Sequence, residues 1–203
     1  EIQIIRKWGE NIPYLTIQSN FSKPINWIDN GYLRNINDKY TWRIRNIIEV
    51  ALTSIMPISN ENISNFIRCV VLKTGQWALD GRSIIPSVDD FRLRLYKNID
   101  LMLGQMEEYS SNLRWDSKQI LSEDDNPLVK IINRSAIGLE NESIFTDQPP
   151  KLILMSPPYP GVHVLYHRWQ IFGRRETPAP FWIANQSDGQ GASHYTFGSR
   201  KSH

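Results

Sequence analysis

The sequence predicts an α/β chain in which a helical insertion interrupts part of a sheet. Three observations predict it. Apolar residues recur at helical spacing from Ile44 to Met106, a short apolar run interrupted only by Lys130 stands at 128–132 and a continuous one at 152–155, and Pro157 and Pro158 stop the second run. Runs of that length bounded by turn-forming residues read as buried strands, whereas a 3, 4, 7, 8 spacing reads as one face of a helix. The chain of 203 residues, 40% hydrophobic, is long enough to bury a core. It divides into an N-terminal segment 1–37, a helical region 38–121 with the insertion at about 38 to 113, and a C-terminal part 122–203.

In the first segment Ile2-Gln3-Ile4 and Tyr14-Leu15-Thr16-Ile17 alternate weakly, as strands do. Ile44, Ile47, Ile48, Ala51, Leu52 and Ile55 then form a helical stripe that Pro57 ends. Ile63, Phe66, Ile67, Val70 and Val71 form a second, with Gly75 as the expected C-cap. Ser87-Val88-Asp89-Asp90 has the form of a capping box with Asp in place of Glu, and opens a third helix through Phe91, Leu95, Ile99, Met102 and Met106. These stripes are core surfaces. Cys69 falls within the second helix and reads as a structural thiol. Residues 122–127 are acidic and polar, a loop, followed by the strand candidate Leu128-Val129-Lys130-Ile131-Ile132, the linker Asn133-Arg134-Ser135-Ala136, and the strand candidate Leu152-Ile153-Leu154-Met155.

A single cysteine excludes a disulfide framework and agrees with a reducing cytoplasm. Nothing in the sequence reaches the length of an apolar membrane span, so no membrane partner is expected. The opening Glu1-Ile2-Gln3 carries neither an initiator methionine nor a signal-peptide pattern, and reads as an internal starting point. Net charge is only +2, but its distribution is uneven. Residues 161–203 hold Arg168, Arg174, Arg175, Arg200 and Lys201 against Glu176 and Asp188. With Tyr166, Trp169, Phe172, Phe181 and Trp182 interleaved, this segment has the composition of a groove that tracks a nucleic-acid backbone, and equally that of a solvated loop with buried aromatics.

The tetrapeptide Ser156-Pro157-Pro158-Tyr159 stands where open α/β sheets place their chemistry, directly after a strand candidate. Read plainly it is a proline turn. It also resembles the catalytic motif of S-adenosylmethionine-dependent amino-methyltransferases, whose serine form is typical of DNA enzymes acting on cytosine N4. The similarity extends over about residues 125 to 200, through Tyr166-His167-Arg168-Trp169, Arg174-Arg175-Glu176-Thr177-Pro178-Ala179-Pro180 and Asp188-Gly189. The resemblance implies part of a Rossmann-like methyltransferase sheet, S-adenosylmethionine as cofactor, DNA as partner, and a place in a restriction-modification or defence system. It assigns Ser156, Pro157, Pro158 and Tyr159 to catalysis and Ser135 and Ala136 to the adenosine end of the cofactor. The basic segment after the motif then suits DNA, with Arg168, Arg174 and Arg175 on phosphates and Trp169 shaping the base pocket.

An exocyclic amino group is a weak nucleophile because its lone pair is delocalised into the base. Acceptors around its hydrogens free that lone pair and stabilise developing charge. The resemblance gives this task to the Ser156 side chain and the Pro157 carbonyl, whose direction the proline ring fixes. Tyr159 would stack on the target, since a paired base must leave the duplex to be reached. Adenine N6 remains an alternative target, and a non-catalytic nucleic-acid-binding or assembly subunit an alternative function.

The family's Gly-rich turn after a first strand has no counterpart in the sequence. Leu79-Asp80-Gly81-Arg82-Ser83 offers a single glycine and also reads as a surface turn, while Gly189-Gln190-Gly191 lacks a preceding strand. A companion segment or subunit carrying the Gly-rich motif is therefore expected.

Overall fold

The computed structural model describes residues 1–16, 31–120, 137–142, 151–154, 168–173 and 175–186, with side chains for all of these but 113–120. The architecture is mixed and helix-rich. Among the described residues, four α-helices precede a two-stranded antiparallel sheet and a short further helix.

Helix α1 spans Ile2–Glu10 and runs into a 3-10 turn at Ile12–Tyr14. This corrects the strand reading of Ile2 to Ile4 and of Tyr14. The alternating Ile2 and Ile4 are exposed, and the residues that reach the core are Ile5, Trp8 and Ile12, spaced at the helical period. Trp8 Nε1 donates to Ser54 Oγ at 2.9 Å, so a buried indole keeps its hydrogen bond.

Helices α2 (Trp42–Ile55), α3 (Glu61–Leu79) and α4 (Val88–Ile120) lie where the apolar stripes predict them. All six residues of the α2 stripe are buried. The Asn60 side chain caps α3 by accepting from Ile63 N–H at 3.1 Å. At the start of α4, Asp90 N–H donates to Ser87 Oγ at 3.1 Å while Ser87 N–H reaches back to Asp90 Oδ2 at 3.3 Å, the reciprocal pattern of a capping box. Phe91, Leu95, Ile99 and Leu103 carry α4 through the core; Met106, expected in the same stripe, is exposed because α4 has passed the packed helices by then.

Two polar groupings lie inside the bundle. Asn98 Nδ2 donates to Thr74 Oγ1 at 2.9 Å, and that hydroxyl donates to Val70 O at 2.8 Å, tying α3 to α4. Arg45 and Glu49, both buried, pair at 2.5 Å one turn apart on α2.

Strands β1 (Trp169–Ile171) and β2 (Arg175–Thr177) form a hairpin with Trp169 opposite Thr177 and Ile171 opposite Arg175, and α5 (Ala179–Ala184) follows. Trp169, Ile171, Trp182 and Ile183 join Ile5, Ile36 and the α2–α4 stripes in one core, so side chains from 1–37, 38–121 and 122–203 share a single interior. The antiparallel hairpin is the sheet of the described residues. The run Leu152-Ile153-Leu154, expected within a buried strand, pairs with no strand among the described residues and is 69 to 87% exposed. The run is apolar enough for a strand, but no described strand lies alongside to take its ladder hydrogen bonds. The candidate at 128–132 lies outside the described residues.

Candidate nucleic-acid interface

Of the residues singled out in the sequence, Ser135, Ala136, Ser156, Pro157, Pro158, Tyr159 and Arg174 lie outside the described residues. Arg168, Trp169 and Arg175 lie within them, on the hairpin. The structure does not treat the three alike.

Trp169 is 4% exposed. Its indole fills a notch in α3 where Gly75 has no side chain, and a Cβ on Gly75 would stand 2.7 Å from Trp169 Cη2. This corrects two expectations. Trp169 is a core anchor instead of a wall of a base pocket, and Gly75 is an interior packing residue instead of a helix end, since α3 continues to Leu79. Trp182, another of the interleaved aromatics, is also core.

The turn after α3 holds β1 in place. Gln170 N–H donates to Asp80 Oδ1 at 2.9 Å and Gly81 N–H donates to Gln170 O at 2.9 Å. Gly81 takes φ +66°, the left-handed region that glycine enters without steric cost. The Asp80-Gly81 turn thus works as a strand clasp. On the other side, Asn35 Nδ2 donates to Glu176 O at 2.8 Å, and the Thr177 hydroxyl donates to Tyr32 O at 3.4 Å. Arg68, its charge disfavoured by partial burial, donates from Nη1 to Ile183 O at 3.0 Å, satisfying a carbonyl near the end of α5.

These contacts press the 31–41 segment against the hairpin and create one composite surface. Arg175 is exposed on β2, and Arg168, immediately before β1, is half-buried. Across from them lies a tight turn built by Asp38, whose Oδ1 accepts from Tyr40 N–H at 2.9 Å, Thr41 N–H at 3.0 Å and the Thr41 hydroxyl at 3.0 Å. Partial burial alone would raise the Asp38 pKa. The three hydrogen bonds and the Arg175 guanidinium outweigh it and hold the carboxyl below the usual aspartate range. The turn projects Tyr40, 63% exposed, edge-to-face against Phe172 at a centroid distance of 6.1 Å and an interplanar angle of 86°. Lys39 Nζ lies 4.8 Å from the Tyr40 ring centroid.

Tyr40 and Lys39 carry no sequence signal of their own, because what gathers them with Arg175 is a contact across more than 130 residues of chain. Among the described residues no group of acidic, histidine or cysteine side chains could hold a metal ion, and no helix is long and apolar enough to cross a membrane. Cys69 does lie in α3 as expected, but on its exposed side. Comparison of the chain with protein-family models, with curated proteins and with solved structures gave no match.

Proposed function

We propose that this chain carries the catalytic loop of an S-adenosylmethionine-dependent DNA amino-methyltransferase that modifies a flipped base, with cytosine N4 as the target. The observation that carries the reading is Ser156-Pro157-Pro158-Tyr159 followed by Tyr166-His167-Arg168-Trp169 and Arg174-Arg175-Glu176-Thr177-Pro178. Ser156 and the Pro157 carbonyl accept from the amino hydrogens, and Tyr159 stacks on the base in place of its lost neighbours. No covalent intermediate on the protein is required, so the exposed Cys69 has no part in it. Exposed Arg175 beside the motif's continuation supports a polyanionic partner.

The described residues do not fit the cofactor. The turn at Gly81 follows a helix where a cofactor turn follows a strand, and the Asp80 carboxylate beside it is taken by Gln170 N–H. The Gly-rich cradle and the remaining strands of a Rossmann-like sheet are therefore assigned to a companion segment or subunit, and no cofactor contact is given to these residues. The same lack of a cradle favours one second reading, a nucleic-acid-binding or assembly subunit of a restriction-modification or defence complex.

With the companion present, Ser156→Ala and Tyr159→Ala are each expected to lower methyl transfer to DNA by at least about tenfold to a hundredfold with the circular dichroism unchanged. Near-normal turnover by both variants overturns the assignment. Mass analysis of digested DNA separates methylcytosine from methyladenine, the latter promoting adenine N6. DNA binding without transfer under any complementation establishes the second reading.

A further inference from the structure

Apart from the adjacent pair Trp42 and Arg43, two groupings of aromatic rings and cations stand out among the described residues. In the first, Trp77 on α3 has Arg82 at 4.6 Å and Arg94 at 5.6 Å from its ring. Arg82 Nε also donates to Trp77 O, so this guanidinium latches the end of α3 and its role there is structural. In the second grouping, at the seam between the 31–41 turn and the hairpin, Arg175 acts electrostatically on the Asp38 carboxylate, yet Arg175, Lys39 and Tyr40 are all exposed.

The ring at its centre is presented, not buried. Asp38 fixes the backbone beneath Tyr40 through three hydrogen bonds, and Phe172 braces the ring edge-to-face. Phe172 is held at φ +51°, a left-handed conformation that a bulky residue adopts only at a steric cost and that Gly or Asn would take more readily. Its ring nonetheless ends up only half-buried, against an exposed tyrosine. An exposed, braced aromatic with Lys39 at its face and Arg175 across the seam has the chemistry of a single-strand platform, where bases stack on the ring and cations hold the flanking phosphates.

Magnitudes decide whether Lys39 blocks that use. A lysine over an exposed tyrosine is worth about twofold to fivefold in an equilibrium constant, whereas a base stacked on an aromatic side chain is worth about fivefold to a hundredfold. A base therefore displaces the ammonium, which then gains a phosphate.

We propose that Tyr40 is a stacking platform for an unpaired base of DNA, braced by Phe172, with Lys39 and Arg175 holding the phosphates on either side. The proposal rests on the reading of DNA as partner and adds a contact surface outside the Ser156–Tyr159 loop. It places strand-holding residues in the helical region as well as on the hairpin.

The test is fluorescence anisotropy of the full chain with a fluorescein-labelled oligothymidylate, alongside the same strand in a perfect duplex. Tyr40→Ala is expected to weaken single-strand binding about fivefold to a hundredfold, with the slope of log affinity against log salt unchanged. Tyr40→Trp should retain binding. Lys39→Gln and Arg175→Gln should each flatten the salt slope by about 0.7, the value for one single-strand phosphate contact. Unchanged single-strand affinity for Tyr40→Ala with intact circular dichroism overturns the proposal, as does binding of the duplex alone or of RNA alone. The two readings fail separately. Wild-type affinity in Tyr40→Ala combined with lost methyl transfer in Ser156→Ala removes the platform and leaves the methyltransferase, whereas a wild-type chain that binds no DNA even with the companion present removes both.

Discussion

In α2, α3 and α4 each buried stripe is contiguous within its own helix, and the caps of α3 and α4 are made by side chains three residues from the groups they satisfy. The β1–β2–α5 unit is anchored otherwise. Its hydrogen bonds to the rest of the molecule join residues 90 positions apart at Gln170 and Asp80, 115 at Arg68 and Ile183, 141 at Asn35 and Glu176, and 145 at Thr177 and Tyr32. A two-stranded hairpin of three-residue strands is not stable alone in water. The bundle can thus form from local preference, while the unit exists only docked on it, and whatever surface they share exists only once both are in place.

Trp169→Ala breaks that comparison hardest. Removing a fully packed indole costs about 3–5 kcal/mol, and here the loss falls on the contact that docks the hairpin into α3. We expect limited proteolysis to cut within 168–186 at temperatures where the far-ultraviolet helical signal is still largely present. Simultaneous loss of helix signal and protection would merge the two regions into one cooperative unit.

Gly75→Ala sharpens it. Alanine in a helix interior gains about 1 kcal/mol over glycine. Against this, the new methyl meets the rigid indole at 2.7 Å, an overpacking that costs about 1–3 kcal/mol. The net expectation in the wild-type background is a loss of about 1 kcal/mol, read as a lowered denaturation midpoint. With Trp169→Leu present the clash goes and the same substitution should stabilise. That change of sign is the coupling between the regions, and additive effects would mean that the notch is not the docking contact.

The same division explains what the sequence could tell. The stripes 44–55, 63–71 and the 91–99 part of the third were legible because helical burial repeats every three to four residues, and the Ser87–Asp90 cap because both partners sit within one turn. Ile2 and Ile4 misled because alternation over three residues is compatible with a helix whose buried side begins at Ile5. Gly75 read as a helix end, since nothing nearby announces that Trp169 arrives from the far end of the chain. Of the candidate site, Arg175 was legible as a cation among aromatics. Its neighbours Lys39 and Tyr40 were not, because their proximity to it is made by tertiary contacts alone.

The smallest effect lies at the seam itself. Asp38 has its carboxyl pKa lowered in the folded chain by its hydrogen bonds to Tyr40 and Thr41 and by Arg175, in excess of what burial does to raise it. A carboxyl with a lowered folded pKa binds its proton more readily in the unfolded chain. Its contribution to stability is then fully present above the unfolded value of about 3.9 and disappears as pH falls through the lower folded value. Asp38→Asn keeps an oxygen in place to accept the same hydrogen bonds and removes the charge. The variant should accordingly be less stable than wild type at pH 7, and the gap should close as denaturation midpoints are measured at successively lower pH below about 4. A gap that stays constant across that range would place the contribution of Asp38 in hydrogen-bond geometry alone, and would leave the charge of Arg175 uncompensated by the turn that presents Tyr40.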